Sequence, residues 1–169
     1  MTVASLAQEL GLWEEICENI HCFSGRKSRR LIDRLATLPI QRSRATRRLG
    51  SYVTRNGRPF CIRLQFAQEP ENLKQTLLHE IAHACDHFST RFAIRFRRAH
   101  GPSWQAWAKA LGTSVKSCGR SEALDQLHRQ RLKLVAVCQN CGAEFHRVRR
   151  LNQGRKYVHP SCGGPLRLL

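Results

Sequence analysis

The sequence predicts an α+β protein in two parts: a first domain of helices with a small antiparallel sheet, followed by a C-terminal zinc ribbon. Three observations predict this class. Apolar residues recur at helical spacing through much of residues 1–131. Two β-type runs meet at an Asn-Gly pair, which is typical of a hairpin turn. Cysteines with metal-ligand spacing follow, in a stretch short enough to need a metal or disulfides to fold. We therefore place the domains at 1–131 and 132–169.

Two apolar stripes at helical spacing predict an N-terminal scaffold. The first runs from Val3 to Ile20. The second runs from Leu31 to Leu38 and ends at Pro39, because proline cannot continue a helix. Each stripe gives its helix one face to bury, so together they predict a helical support for the segments that follow.

Two β-type runs come next along the chain. Residues 45–54 and 59–66 flank Asn56-Gly57, a dipeptide favoured in tight hairpin turns. They predict a short antiparallel sheet beside the next helix. One strand would lie at an edge, where an extended peptide can add to the sheet through backbone hydrogen bonds.

The segment His79-Glu80-Ile81-Ala82-His83 predicts a metal-binding helix. Histidines four residues apart project from one face of a helix, so both can bind one zinc ion. Glu80 then lies close enough to act as a base toward a water at the metal. A pair of ordinary helix histidines is the alternative. The glutamate disfavours it, as does an apolar stripe on the opposite side: Leu73, Leu77, Ile81, Ala84 and Phe88.

A catalytic zinc usually takes three protein ligands, so a third is expected. His87 would lie about 12 Å along the helix from His79, too far to share a tetrahedral site. His100 is better placed, because Gly101-Pro102 predicts a turn into a new helix. A solvated capping residue is the alternative for a lone histidine there. We predict His100 as the third ligand, held at the start of a helix whose buried face is Trp104, Trp107, Ala108 and Leu111.

Two matching knuckles predict a second zinc site. Cys138-Gln139-Asn140-Cys141 and His159-Pro160-Ser161-Cys162 each place two ligand-type residues at the same spacing, and glycine follows each. Glycine lets the backbone turn so that its amide groups face the thiolates. Four ligands close the coordination shell, so this zinc is expected to be structural. His146 is the alternative to His159 as the fourth ligand.

Charge is strongly positive and uneven along the chain. The chain has 29 Lys and Arg against 12 Asp and Glu, a net charge of +17. Residues 26–63 hold twelve basic residues and one acidic, and residues 129–169 hold nine and one. Such clusters attract a phosphate backbone. Phe145, His146 and Tyr157 add rings on which unpaired bases can stack. We therefore predict DNA, with single-stranded character, as a partner.

The predicted DNA contacts lie in two groups, and a solvated side chain is the alternative for any one of them. One group falls between the second and third predicted zinc ligands, interleaved with apolar residues, and is predicted to couple DNA contact to access at the zinc: Arg91, Arg95, Arg97 and Arg98. The other lies in the predicted ribbon: Arg147, Arg149, Arg150, Arg155 and Lys156.

These motifs together resemble the SprT-like zinc metalloproteases. The resemblance rests on Cys61-Ile62-Arg63-Leu64, on residues 75–84, and on His100-Gly101-Pro102-Ser103-Trp104. Arg48-Leu49-Gly50 is similar to the strand-and-turn element that precedes the active helix in that family. The resemblance implies a zincin-like protease domain with His79, His83 and His100 as zinc ligands and Glu80 as catalytic base. It also implies, as substrates, proteins trapped covalently on DNA and the chain itself.

We therefore expect a zinc metalloendopeptidase with one catalytic and one structural zinc, acting on DNA-bound or DNA-crosslinked proteins. Two alternatives remain at this point: a non-catalytic zinc-containing DNA-binding adaptor or transcription-related factor, and a metalloprotease acting on free regulatory proteins. The N-terminus lacks a secretory pattern, and no apolar stretch approaches the roughly 20 residues that span a membrane. We expect a monomer without membrane contact, in a reducing cytosol at the nucleoid, or in a nucleus.

Overall fold

The computed structural model describes residues 1–89, 99–114 and 119–169. The chain divides into two compact units, Met1–Ala123 and Leu124–Leu169. This division lies before the boundary near residue 131 that the sequence suggested. Residues 124–131, which the sequence placed in the first domain, are therefore grouped with the second unit. No helix in the described parts of the chain is both long enough and apolar enough to cross a membrane.

Three helices form the N-terminal scaffold of the first unit. The apolar stripe from Val3 to Ile20 is divided between two of them, so the prediction of a single stripe was wrong at this point. The chain turns at Gly11, whose φ of +68° favours glycine. The third helix ends before Pro39, as predicted. The helices are α1 (Val3–Glu9), α2 (Trp13–Ser24) and α3 (Ser28–Ala36).

A three-stranded sheet follows, with the order β1-β3-β2. The predicted hairpin is confirmed: β2 and β3 are antiparallel, and Asn56 and Gly57 have φ of +50° and +70°. The sequence did not predict β1, which pairs with β3 in parallel and makes the sheet mixed. β2 is an edge strand. The strands are β1 (Ile40–Arg42), β2 (Gly50–Arg55) and β3 (Arg58–Leu64).

Two further helices complete the first unit: α4 (Pro70–Ser89) and α5 (Pro102–Ala110). The predicted apolar stripe of α4 faces the core, where Leu77, Ile81 and Ala84 are fully buried. The predicted face of α5 is also buried, with Trp104 inaccessible to solvent. α4 packs against both β2 and α5. One side of α4 is thus anchored, and the opposite side is available for a site.

The second unit contains a small antiparallel sheet with the order β5-β4-β6. The central strand, β4, leads into the first cysteine of the ribbon, and its Val135 and Ala136 are buried. The sequence did not predict β5 or β6. Helix α6 (Glu122–Gln130) precedes β4 (Lys133–Cys138), and β5 (Glu144–Arg147) and β6 (Leu166–Leu168) follow.

Candidate metal centres

Three histidine side chains meet in the first unit. His79 and His83 come from α4, and His100 comes from the turn before α5. Nε2 of His100 lies 3.2 Å from Nε2 of His79 and 3.2 Å from Nε2 of His83. Tetrahedral zinc with bonds of about 2.0 Å places its ligand nitrogens about 3.3 Å apart. The donor set and its spacing therefore fit three ligands of one zinc ion.

Burial keeps the imidazoles of His79 and His83 in the neutral form that binds metal. Burial, reinforced by the charge of His100, lowers the pKa of His79 to about 4. Burial, with the charges of His79 and His100, lowers the pKa of His83 to about 3. Both rings are therefore neutral at neutral pH, as metal ligation requires.

Trp104 supports all three histidines. Its ring centroid lies 4.8 Å from that of His79, 5.2 Å from that of His83 and 4.4 Å from that of His100. Gln105 donates a hydrogen bond from Nε2 to the backbone carbonyl of His100, at 3.1 Å. The sequence predicted Trp104 as a core residue only. Its position behind the histidines depends on how α5 packs against α4. The spacing of residues along the sequence does not predict that packing.

Glu80 is buried beside these histidines, at 6% exposure. Its Oε2 accepts a hydrogen bond of 2.6 Å from the backbone N–H of Tyr52 in β2. Burial raises the pKa of Glu80 to about 7, against the opposing effects of the Tyr52 N–H and the charge of Arg48. A carboxyl group with this pKa can both accept and release a proton near neutral pH.

Gly50 allows β2 to lie against this carboxylate. A Cβ at this position would be 2.5 Å from Cγ2 of Thr76 and 3.1 Å from Cγ of Glu80. No side chain fits in that gap without a shift of the strand or of α4. The sequence pointed to Gly50 only by family resemblance, because the contact joins residues far apart along the chain.

Tyr52 contacts α4 a second time through its side chain. Its hydroxyl lies 2.7 Å from Nδ1 of His87. Burial raises the pKa of Tyr52 and lowers the pKa of His87, so both partners are neutral at neutral pH. His87 lies outside the histidine cluster, in accord with its exclusion as a ligand on helix geometry. Neither Tyr52 nor the role of His87 was predicted.

A second cluster of ligand-type atoms lies in the second unit. It consists of the four residues predicted for the ribbon: Cys138, Cys141, His159 and Cys162. Sγ of Cys162 lies 3.5 Å from that of Cys138 and 3.6 Å from that of Cys141. Nδ1 of His159 lies 3.2 Å from Sγ of Cys141. Zinc–sulfur bonds of about 2.3 Å place tetrahedral sulfurs about 3.8 Å apart, so the four donors fit one closed zinc site. His146 lies outside this cluster and is paired with Glu144, with Nε2 and Oε2 3.7 Å apart.

Backbone amide groups face the first knuckle of this cluster. The N–H of Cys141, followed by that of Asn140, lowers the pKa of the Cys138 thiol to about 6. The thiolate is the form that binds zinc. The glycines after the knuckles have positive φ, +71° at Gly142 and +66° at Gly163. A Cβ on Gly164 would lie 2.8 Å from Sγ of Cys138, so glycine is needed there for close approach.

The predicted DNA contacts of the second unit are all solvent-exposed: Arg147, Arg149, Arg150, Arg155 and Lys156. The rings proposed for base stacking differ in exposure. His146 is exposed, whereas Phe145 is half-buried with its ring 5.2 Å from that of His159. Tyr157 is half-buried, and its hydroxyl accepts a hydrogen bond from the Asn152 N–H. The other predicted contacts lie outside the described residues: Arg91, Arg95, Arg97 and Arg98.

Comparison with known proteins gives one match. The model of the SprT-like family matches residues 15–125, which is more than half of the chain. The match includes all three histidines of the first cluster and Glu80, and it ends before the second cluster. This family is associated with zinc metalloprotease activity. No curated protein and no solved structure gives a significant match to the chain.

Proposed function

This chain belongs to the SprT-like family, and from that premise we propose that it is a zinc metalloendopeptidase which hydrolyses DNA-bound or DNA-crosslinked proteins. In this proposal the first unit is a zincin-like protease domain. His79, His83 and His100 hold the catalytic zinc, and Glu80 is the catalytic base.

The proposal rests on one observation: the histidine cluster lies beside a buried carboxyl group, that of Glu80, which can accept and release a proton near neutral pH. The three Nε2 atoms have the spacing of zinc ligands, with 3.2 Å from His100 to each of the other two. A purely structural site has no need of a carboxylate beside it. Glu80 is buried there with a pKa of about 7, which matches the requirement for a general base at neutral pH.

The chain's own residues then account for the proton transfers of peptide hydrolysis. Zinc in the site would polarise the scissile carbonyl and lower the pKa of the attacking water. Glu80 accepts the proton of that water and returns it to the leaving amine. The Tyr52 N–H holds one carboxylate oxygen of Glu80 and thereby fixes the direction in which the base points. The outer edge of β2 is next to Glu80, so an extended substrate bound along this edge would bring its backbone close to the base.

The second zinc is proposed to be structural. Cys138, Cys141, His159 and Cys162 would fill its coordination shell, so no position is left for a substrate. The second unit is short, at Leu124–Leu169, and its buried apolar side chains are few. Zinc binding would therefore supply much of the free energy that folds it.

Association with DNA is proposed from charge. The net charge of +17, the exposed basic residues of the second unit and the exposed His146 favour a polyanionic partner with unpaired bases. A protease and a substrate bound to the same strand meet at a high effective concentration, so a selective side-chain pocket is not required. A monomer suffices for this mechanism, and its place of action would be the nucleoid or the nucleus.

The test is cleavage of a DNA-binding protein with and without single-stranded DNA, by the wild-type chain and by Glu80→Gln. Zinc content is measured in both proteins, because Glu80→Gln should leave the two zinc ions in place. Cleavage that requires both DNA and Glu80 would support the proposal. Cleavage without DNA would favour a protease of free regulatory proteins. DNA binding by a zinc-loaded wild type that cleaves nothing would favour a non-catalytic adaptor.

A further inference from the structure

Positive charge in the first unit is concentrated around its sheet. Residues 1–33 hold five acidic and four basic residues, which nearly balance. Residues 34–68 hold eight arginines and no Asp or Glu. Seven of these are exposed and lie on the three strands or on the segment between β1 and β2. Leaving aside Arg44, which has an interaction partner in the structure, we call the other six the arginine sheet: Arg42, Arg47, Arg48, Arg55, Arg58 and Arg63.

The arginine sheet forms no ion pair among the described residues, although the charge of Arg48 acts on Glu80 from a longer distance. Among the described residues, no carboxylate oxygen lies within 4.0 Å of any of these six guanidinium groups. The strand register also sets like charges close together. Arg55 and Arg58 are direct cross-strand partners, a placement that destabilises a sheet. A bound polyanion would remove that cost.

The arginines follow the length of the sheet. Arg58 and Arg63 lie near opposite ends of β3, about 17 Å apart at about 3.4 Å per residue. Arg42 of β1 pairs with Leu64, so it lies at the same end of the sheet as Arg63 but on the opposite face. The distance from Arg58 to Arg63 matches the rise of about five nucleotides in one strand of a DNA duplex, at 3.4 Å each. The surface is therefore long enough to contact several phosphates.

Two guanidinium groups of the arginine sheet are held over aromatic rings. Cζ of Arg55 lies 3.5 Å from the ring centroid of Phe60, and Cζ of Arg42 lies 5.3 Å from that of Phe66. A supported guanidinium loses less side-chain entropy when it binds, and its planar donors match the oxygens of a phosphate.

One end of this surface lies beside the catalytic carboxylate. Arg47 and Arg48 lie three and two residues before Gly50, the first residue of β2, and Gly50 packs against Glu80 and Thr76. A strand of nucleic acid on the arginine sheet would thus pass close to the position where we place peptide hydrolysis.

We propose that the arginine sheet binds the phosphate backbone of single-stranded DNA next to the protease site, so that the first unit contacts DNA in addition to the ribbon. This inference rests on the proposed function, because it places the DNA beside the proposed protease site. Its test is a binding measurement that does not depend on cleavage. The residues proposed here are different from the nine contacts predicted from the sequence.

The experiment compares two full-length, zinc-loaded variants that each lose four positive charges. The sheet variant carries Arg47→Gln, Arg55→Gln, Arg58→Gln and Arg63→Gln. The matched control replaces four exposed basic residues around the start of α3 by glutamine: Arg26, Lys27, Arg29 and Arg30. Binding of a fluorescent single-stranded oligothymidine is measured by anisotropy over a range of NaCl concentrations. Thermal midpoints and zinc content show that each variant is folded.

The expected result is a difference in salt dependence. The slope of log K against log salt is negative, and each phosphate contact adds about 0.7 to its magnitude for a single strand. The loss of four contacts should therefore reduce the magnitude of the slope by about 3. The control should lower it by less than about 1. If the sheet variant does not fold, the single change Arg63→Gln should still reduce the magnitude of the slope by about 0.7.

Two outcomes would overturn the inference. Equal changes of slope in the two variants would show that DNA is attracted by the net charge of the protein and not by a particular surface. Competition by polyglutamate as effective as that by unlabelled oligothymidine, at equal charge, would indicate an acidic protein partner instead. A wild type that binds DNA through these arginines but cleaves nothing would refute the proposed protease function and leave this surface intact.

Discussion

The contact between Gly50 and α4 leads to a prediction about catalysis. In Gly50→Ala, the new Cβ would lie 2.5 Å from Cγ2 of Thr76 and 3.1 Å from both Cγ and Oε1 of Glu80. Carbon atoms reach optimal separation at about 3.5–4.0 Å, so β2 and α4 must separate by about 1 Å. The hydrogen bond of 2.6 Å between the Tyr52 N–H and Glu80 spans the same gap. Such a shift lengthens it to about 3.6 Å, which is beyond hydrogen-bond range.

The size of the effect follows from the charge of the acceptor. A hydrogen bond to a charged group contributes about 1.5–3 kcal/mol. At 1.36 kcal/mol for each factor of ten in rate, its loss lowers kcat/KM by about 10- to 150-fold. Overpacking at the same contact destabilises the first unit by about 1–3 kcal/mol. Zinc content should not change, because the histidines are not part of this contact.

The assay is the initial rate of cleavage of a DNA-bound protein, measured well below the thermal midpoint of each variant. Gly57→Ala is the matched control. Gly57 has φ of +70°, and a Cβ there would meet nothing within 4 Å, so the change strains the hairpin without reaching Glu80. It should destabilise the protein by about 1–2 kcal/mol and leave the rate near that of the wild type.

A second change should restore activity to Gly50→Ala. Thr76→Ser removes Cγ2, the atom that the new Cβ would meet, and retains a hydroxyl for the hydrogen bond of 3.0 Å to Oε1 of Gln68. The double variant should recover at least part of the lost rate. Full activity in Gly50→Ala alone, or a loss matched by Gly57→Ala, would refute the argument that β2 orients Glu80.

Three further predictions concern other contacts. Tyr52→Phe removes the hydroxyl that contacts His87 and should lower kcat by several-fold with little change in KM. Thr113→Val removes a hydroxyl that contacts Gln75 of α4 and should leave kcat unchanged. Equal losses in the two variants would contradict a role of the Tyr52 hydroxyl in orienting the base. Glu69→Gln should destabilise the protein at pH 7, because the Ala123 N–H and then other donors lower the pKa of this carboxylate to about 2. The contribution of the Glu69 carboxylate to stability is complete above about pH 4.5 and is lost as the pH falls through about 2. The urea midpoints of variant and wild type should therefore converge in acid. A difference between the two midpoints that stays constant with pH would contradict this prediction. His159→Ala should reduce the bound zinc from two ions to one in an elemental assay, whereas His146→Ala should retain both; the reverse result would exchange the roles of the two histidines.

Local patterns in the sequence predicted the elements that carry the first site. The period of α4, the Asn56-Gly57 turn and the Gly101-Pro102 helix start each depend on neighbouring residues, and all three are confirmed. Membership of the SprT-like family, first inferred from the motifs around His79 and His100, is confirmed as well. The same local rules failed at Gly11, where one apolar stripe continues across two helices.

The contacts that orient the site were not predictable in this way. β1 is three residues long, too short to show a period of two, and its residues pair with residues 22 positions further along the chain. The Tyr52–Glu80 hydrogen bond and the Gly50–Thr76 contact join residues separated by more than twenty positions. Such contacts depend on the packing of β2 against α4. For the second site, the sequence left His146 as an alternative to His159 for the fourth ligand. The position of His159 beside the three cysteines favours His159.

The hydrogen-bond donor that holds Glu80 is a backbone N–H, and this affects how the site responds to mutation. Every residue except proline offers an N–H at position 52, so an alanine substitution there would report on the Tyr52 side chain and leave this donor in place. Evolution can therefore vary the side chain there without losing the donor, provided that β2 keeps its register. The orientation of the base depends on the position of a strand, and it would be lost through insertions, deletions or bulges in β2 more readily than through substitutions.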